Sequence, residues 1–286
     1  MNLSLFGIGL MGTAIAHRLL QQGHTLTLYN RTQREFPDLQ AQGATLAETV
    51  EAAISASSIL ILTLSDAQAI QDILLKPGLN LHGKIILQMG TIAPQESQAI
   101  AQTMQTLGAT YLEAPVLGSI PEAKTGTLLI FVGASQNLFE QMLPLLKDLS
   151  EAPRYIGEIG TAAATKLALN QLIGSLTSAF SVSLALIQNS GVNLETFMDI
   201  LRQSALYAPT FDKKLQRMVE QNYHNPNFPA KHLLKDMRLA QTTAATYGIN
   251  TQIIDAVIAI TQHSVQQGQG EADYSVIFSA INSPLQ

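Results

Sequence analysis

Residues 3–12 read LSLFGIGLMG, an apolar run that passes into a glycine-rich turn. Residues 11–22 behind the turn place apolar side chains at helical spacing, which predicts an amphipathic helix. The β-branched and apolar run at residues 25–29 then predicts a second strand. A strand, a G-x-G-x-x-G turn, a helix and another strand form the context in which this turn binds a dinucleotide.

The glycines of the turn each have a role in that interpretation. Gly7 permits the tight turn, Gly9 lets the backbone approach a pyrophosphate, and Gly12 allows close packing of helix on strand. Leu10 and Met11 lie at the helix start, where free N–H groups and partial positive charge favour a phosphate. The alternative is a tight turn that binds no ligand.

The end of the second strand indicates which dinucleotide binds. NAD-binding turns place an acidic residue there for the ribose 2′-hydroxyl, whereas this chain has Asn30, Arg31 and Thr32. An arginine can pair with a 2′-phosphate, and the threonine hydroxyl adds a donor. The sequence therefore predicts NADP(H) as the cofactor. The alternative is that Arg31 is a solvated surface charge.

Strand and helix patterns alternate through residues 1–160, which predicts an α/β domain with a doubly wound, mainly parallel sheet. Beyond residue 160 the apolar spacing is helical only. We therefore predict that residues 161–286 form an all-α domain built on one long helix. Further strands are expected at 59–64, 84–88, 110–113 and 127–132, and helices at 46–55, after Asp66, and at 94–107, 161–190, 193–204, 209–221, 230–247 and 251–267.

The composition excludes several classes of protein. The 286 residues are 47% hydrophobic and 13% charged, which is unlike a disordered chain. The lack of cysteine excludes a disulfide scaffold and a cysteine nucleophile, and the net charge of −5 gives no support for a nucleic-acid partner. The apolar runs at 59–64 and 128–132 are too short to span a membrane, and residues 1–12 lack a secretory signal. We therefore expect a cytoplasmic protein. Because no histidines have metal-ligand spacing, we also expect no metal.

Lys166 stands in an almost chargeless stretch, GTAAATKLALN at 160–170, near the start of the predicted long helix. Asn170, four residues on, projects from the same helix face. A positioned ammonium could donate a proton to a carbonyl oxygen while hydride arrives at the carbon. The alternative is a lysine whose ammonium extends to water.

Motifs that recur in one order along the chain indicate its family. They are GIGLMG at 7–12, LTLSD at 62–66, MGTIAP at 89–94, EAPVLGSIPEAKTGTL at 113–128, GEIGTAAATKLALN at 157–170 and KDMRLA at 235–240. With these motifs the chain resembles, over essentially its whole length, the β-hydroxyacid dehydrogenase family. The resemblance implies a Rossmann domain joined by a long helix to an all-α domain, in a homodimer or homotetramer with interlocked C-terminal domains.

The resemblance also implies roles for named residues. Lys166 would be the catalytic acid and Asn170 its active-site companion. The turn Leu117, Gly118 and Ser119 would lie against the substrate carboxylate. Phe228 and Asp236 would line the substrate site from the C-terminal domain, and Leu64, Thr91 and Lys235 would lie near the cofactor.

The predicted function is NADPH-dependent reduction of a small aldehyde acid, succinic semialdehyde or glyoxylate, to the hydroxy acid. Many family members have serine where this chain has Leu117, whose side chain cannot hydrogen-bond a carboxylate. Either Ser119 takes over that role or the site accepts a less polar substrate. Alternatives are a dehydrogenase of 3-hydroxyisobutyrate or another 3-hydroxyacid, an imine reductase, and a non-catalytic NADP-binding scaffold. The presence of Lys166 weighs against the last two.

Overall fold

The computed structural model describes residues 1–283. The chain divides into two compact units, which meet in sequence at Lys166 and Leu167. The strands of the first unit are β1 (Asn2–Phe6), β2 (Thr25–Tyr29), β3 (Thr45–Leu46), β4 (Ile59–Leu62), β5 (Ile85–Gln88), β6 (Thr110–Glu113), β7 (Val116–Leu117), β8 (Leu129–Gly133) and β9 (Arg154–Gly157). Its helices are α1 (Leu10–Gln21), α2 (Pro37–Ala41), α3 (Val50–Ala56), α4 (Ala67–Leu74), α5 (Pro94–Thr106), α6 (Ile120–Thr125) and α7 (Gln136–Leu149).

The strands form one sheet in the order β3–β2–β1–β4–β5–β6–β8–β7, with β9 beside β8. Strands β1 to β6 run parallel to one another, whereas β8 runs antiparallel to both β6 and β7. The strand order turns back on itself beside β1, because β2 lies on one side of it and β4 on the other. The predicted doubly wound, mainly parallel sheet is therefore confirmed.

Helices cover both faces of this sheet, so its central strands are apolar on both sides. In β4, Ile61 packs into one apolar core with Leu5 of β1. The flanking residues Leu60 and Leu62 pack into the other core with Phe6. This two-residue alternation explains why β4 is a continuous apolar run in the sequence.

Several elements of the first unit were not predicted. Helix α7 buries Leu138, Met142 and Leu145 along one face, but Pro144 lies inside it. A proline in the helix interior removes a hydrogen bond, so this stretch carries a helix-breaking signal in the sequence. The short elements α2, α6, β3, β7 and β9 were also missed, because two to six residues give too little periodicity.

The second unit is helical. Helix α8 (Thr161–Asn189) begins in the first unit and continues through the second. It is followed by α9 (Leu194–Arg202), α10 (Pro209–Val219), α11 (Ala230–Thr246), α12 (Gln252–Ser264) and α13 (Ile277–Ile281). By length and composition α8 is apolar enough to cross a membrane, a criterion that the core helix of a soluble protein also meets.

Helix α8 packs closely on its neighbours within the second unit because of Gly174. A Cβ at this position would lie 2.8 Å from Met237 Sδ on α11 and 3.1 Å from Val257 Cγ1 on α12. A side chain at 174 would have to displace the Met237 or Val257 side chains, both of which are buried. The predicted all-α architecture on a long helix is confirmed.

Candidate active site

The glycine-rich turn lies between β1 and α1, at the carboxyl edge of the parallel strands. Gly7 has φ of +94°, which glycine adopts without strain, and its N–H donates to Tyr29 O at 3.0 Å. A Cβ on Gly12 would lie only 2.2 Å from Gly7 O, whereas a Cβ on Gly9 would meet nothing within 4 Å. The turn is therefore closed on its inner side and open at Gly9, where α1 begins. This shape fits a pyrophosphate that approaches the backbone at a helix N-terminus.

Asn30 joins this turn to the loop after β2. Its Oδ1 accepts from Ile8 N at 3.0 Å, and its Nδ2 donates to Thr32 O at 2.8 Å. Arg34 also contacts the turn, since its Nη2 donates to Ile8 O and its guanidinium lies 4.9 Å from the centre of the Phe36 ring. Arg34 was not predicted as a site residue. It lies five positions after the last residue of β2, whereas the cofactor prediction rests on residues 30–32 alone.

Arg31 and Thr32 have exposed side chains on this loop. Within residues 1–283, no hydrogen bond or ion pair engages the Arg31 guanidinium. Arg34, by contrast, is held against the glycine turn. The two arginines therefore differ in what they can do: Arg31 can meet an anion, and Arg34 supports the turn.

Leu64 follows β4 beside the glycine turn, and Thr91 follows the neighbouring strand β5. A Cβ on Gly7 would lie 3.0 Å from Leu64 Cδ2, and one on Gly90 would lie 2.4 Å from Leu64 O. Thr63 Oγ1 donates to Gly7 O at 2.6 Å. The carboxyl ends of three neighbouring strands thus converge where the strand order turns back, the position at which open α/β sheets bind ligands.

The turn Leu117–Gly118–Ser119 connects β7 to α6. Gly118 has φ of +134°, and a Cβ there would lie 2.8 Å from Leu128 Cδ2, so this position requires glycine. The N–H and the hydroxyl of Ser119 both donate to Glu122 Oε2, at 2.8 and 2.7 Å. The donors predicted to meet a substrate carboxylate are therefore bonded to a carboxylate of the chain itself. Glu122 was not predicted as a site residue.

Glu113, the last residue of β6, holds the beginning of α8. It is 1% exposed, and its Oε1 accepts from the N–H groups of Gly160 at 2.8 Å, Ala162 at 2.8 Å and Ala163 at 3.1 Å. Its Oε2 accepts from Ser97 Oγ at 2.5 Å. Burial raises the pKa of Glu113, and these hydrogen bonds oppose the shift. The side chain satisfies N–H groups that lack partners at a helix start.

Lys166 lies on the second turn of the same helix and is 8% exposed. Because Glu113 fixes the first turn, the rotation and height of Lys166 on the helix depend on that carboxylate. One feature of the sequence indicates Glu113, because this residue begins the motif EAPVLGS at 113–119. Its bond to residues nearly fifty positions away could not be read from spacing.

In the second unit, Asn170 and Asp236 are bonded to each other. Asn170 Nδ2 donates to Asp236 Oδ2 at 2.6 Å, and the two residues are 1% and 2% exposed. Lys235 Nζ lies 3.1 Å from Asp236 Oδ1. Asn170 Oδ1 is buried without a hydrogen-bond partner among residues 1–283. This oxygen can therefore still accept a hydrogen bond from a ligand or a nearby side chain. The structure therefore brings together three residues that the resemblance singled out.

Phe228, before α11, belongs to an aromatic group. Its ring stacks on His232 at 6.4 Å between centroids and meets Tyr274 edge-on at 5.7 Å. Burial lowers the pKa of His232, and the neighbouring Lys235 and Lys231 lower it further. The lowered pKa favours the neutral imidazole, whose ring lies nearly parallel to that of Phe228. In the part of the chain that the structure describes, no cluster of histidine and acidic side chains could hold a metal ion.

Known families match both parts of the chain. Residues 2–160 match the family described as the NAD binding domain of 6-phosphogluconate dehydrogenase. Residues 160–281 match the family described as NAD-binding of NADP-dependent 3-hydroxyisobutyrate dehydrogenase.

Individual relatives cover nearly the whole chain. Glyoxylate/succinic semialdehyde reductase 1 of Arabidopsis thaliana is 31% identical over 285 residues, 98% of each chain. The cytokine-like nuclear factor N-PAC of Homo sapiens is 29% identical over 283 residues, and the chain spans 51% of that protein's length. The solved structure of 3-hydroxyisobutyrate dehydrogenase from Salmonella typhimurium superposes with a TM-score of 0.86 at 21% identity, over 98% of this chain and 99% of that one.

Proposed function

Since the chain belongs to the β-hydroxyacid dehydrogenase family of NAD(P)-dependent oxidoreductases, we propose that it reduces a small aldehyde acid with NADPH. Succinic semialdehyde and glyoxylate are the proposed substrates, in line with the 31% identity to a reductase named for them. The observation that carries the proposal is Lys166. This buried lysine lies one turn beyond the helix start that Glu113 holds, in the same compact unit as the glycine-rich turn.

The chain's residues would hold the cofactor at the carboxyl edge of the sheet. The glycine turn and the first N–H groups of α1 bind the pyrophosphate, with Gly9 giving access to the backbone. Arg31 and Thr32 bind the 2′-phosphate, while Leu64 and Thr91 line the nicotinamide end. When bound, NADPH supplies the hydride.

Lys166 then supplies the proton. Its ammonium donates to the carbonyl oxygen of the substrate as negative charge develops there. Asn170 lies one turn further along α8, and Asp236 fixes its amide by accepting from Nδ2. This bond leaves Asn170 Oδ1 as an acceptor for the ammonium or for a hydroxyl group. Gly118 and Ser119 receive the substrate carboxylate.

Initial rates of NADPH oxidation test the proposal. We expect succinic semialdehyde and glyoxylate to be reduced, and the panel should also include cyclic imines and the reverse reaction with 3-hydroxyisobutyrate. Reduction of imines alone would show that the imine-reductase alternative is right. Oxidation of 3-hydroxyisobutyrate with no reduction of either aldehyde acid would favour the 3-hydroxyacid dehydrogenase.

The two arginines after β2 give a test of cofactor choice. A charge-assisted hydrogen bond contributes about 1.5–3 kcal/mol, so Arg31→Ala should raise the Kd of NADPH by roughly 10–100-fold and leave that of NADH nearly unchanged. Arg34→Ala should weaken both cofactors together, because Arg34 holds a carbonyl of the glycine turn. Equal loss of NADPH and NADH binding in Arg31→Ala would contradict the 2′-phosphate assignment.

We also propose that the chain forms a homodimer or homotetramer through α8. Four of its large apolar residues are exposed along one stripe of the helix: Leu172 at 49%, Leu176 at 37%, Val182 at 56% and Leu186 at 65%. Such a patch is typical of a protein interface. Leu186→Glu should therefore shift the mass measured by light scattering toward the monomer. An unchanged mass, whether of a monomer or of an oligomer, would contradict this interface.

A further inference from the structure

We infer that Glu122 is a specificity-determining residue, which competes with the substrate carboxylate for the hydrogen-bond donors of Ser119. The inference rests on the proposed function, because it takes the turn at residues 117–119 to face the substrate. It concerns how strongly the enzyme favours aldehydes that carry a carboxylate over aldehydes that do not.

The geometry of the turn sets up the competition. The Ser119 N–H and hydroxyl converge on one oxygen, Glu122 Oε2, at 2.8 and 2.7 Å. A backbone amide and a hydroxyl have one proton each, so both donors are engaged at once. A substrate carboxylate can gain either donor only when Glu122 gives it up.

The neighbouring side chain makes this competition more important. The Leu117 side chain has no hydrogen-bond donor and Gly118 has no side chain, so Ser119 carries the one side-chain hydroxyl of the turn. A substrate carboxylate beside Ser119 would also lie near the Glu122 carboxylate. Ser119 and Glu122 are both half-buried, and like charges repel more strongly in such surroundings than in water. Glu122 therefore disfavours a charged substrate both by holding the donors and by its own charge.

Capping of α6 does not require both hydrogen bonds between Ser119 and Glu122. At the start of α5, Glu96 Oε2 accepts from the N–H of Ala93 at 2.7 Å, and Ala93 has no hydroxyl. The glutamate-to-amide bond thus caps a helix without help from a serine side chain. At α6 the same bond is present, and the Ser119 hydroxyl is engaged in addition. Glu96 is therefore a matched control for the capping role of Glu122.

The test compares Glu122→Gln with Glu96→Gln. Glutamine keeps an oxygen acceptor for Ser119 but has no charge, so the turn retains its shape with a weaker bond. We expect the KM of succinic semialdehyde to fall about tenfold in Glu122→Gln, while the KM of uncharged butanal does not fall. Glu96→Gln removes a charge from an equivalent cap and should change neither KM.

Direct binding gives a second measurement that does not depend on turnover. Calorimetry with butyrate, a carboxylate that cannot be reduced by hydride, should show tighter binding to Glu122→Gln than to the unmodified protein. Glu122→Met, which frees both Ser119 donors, should show the same change and serves if the glutamine variant does not fold. Circular dichroism establishes the folded state of each variant.

The outcomes separate this inference from the proposed function. An unchanged KM for succinic semialdehyde and an unchanged butyrate affinity in the Glu122 variants would overturn the role of Glu122. An equal fall in KM for butanal would overturn it as well, because the effect would then be independent of charge. If the unmodified protein reduces no aldehyde acid with NADPH, the proposed function fails, whatever the butyrate measurement shows.

Discussion

We expect Lys166→Ala to lower turnover by about 10²–10⁴-fold, the contribution of a well-placed general acid. Alanine has no proton to donate to the developing alkoxide. The Kd of NADPH should stay within about twofold, because the glycine turn and the loop after β2 hold the cofactor phosphates without this side chain. Stopped-flow single-turnover rates and fluorescence titration of NADPH measure the two quantities separately.

Two variants serve as controls for this result. Lys166→Arg keeps a positive charge but has a pKa too high for ready proton donation, so its turnover should also be low. Lys124→Ala removes an exposed lysine and should leave turnover unchanged. If Lys166→Ala turns over at the rate of the unmodified protein, Lys166 is not the acid.

The second large effect is expected at Glu113. Glu113→Ala leaves the N–H groups of Gly160, Ala162 and Ala163 without their acceptor inside the protein. Each buried donor left unsatisfied costs about 1–3 kcal/mol. We therefore expect the free energy of unfolding of the first unit to fall by about 3 kcal/mol or more, as measured by urea denaturation. Turnover should fall with it, since Lys166 lies on the turn that follows these bonds.

A neutral isostere should recover much of this loss. Burial already raises the pKa of Glu113. Protonating this carboxylate therefore costs less free energy than protonating a surface glutamate. Glu113→Gln keeps an oxygen acceptor and should lie between the alanine variant and the unmodified protein. Glu158→Ala removes an exposed carboxylate just before the same helix and should have little effect. Equal stability of Glu113→Ala and Glu158→Ala would contradict the clamp.

The glycine-rich turn was predictable from sequence because its requirements are local. Gly7 needs a positive φ, and Gly12 needs space against a carbonyl five residues away. The lysine helix was also predictable, since Lys166 stands out in a stretch with few other charges. In both cases the informative residues lie within a few positions of the residue concerned in the sequence.

Arg34 and Glu113 could not be predicted in this way. Glu113 acts on backbone groups 47 to 50 residues away, and Arg34 on a carbonyl 26 residues back. Neither partner is a side chain, so no residue type in the sequence indicates the contact. Ser119 and Glu122 differ, because S-x-x-E is a capping pattern that can be recognised locally in the sequence. Helix α7 was missed because Pro144 carries a helix-breaking signal.

The two hydrogen bonds of the Asn30 side chain restrict which residues can be changed to alter cofactor preference. One amide joins the N–H of Ile8 in the glycine turn to the carbonyl of Thr32 in the loop. Grafting an aspartate at position 30, to bind a ribose hydroxyl, would remove the Nδ2 donor and bring a negative charge to the Thr32 carbonyl. A redesign toward NADH should therefore keep Asn30 and Arg34 as scaffold and place its new acidic residue at 31 or 32.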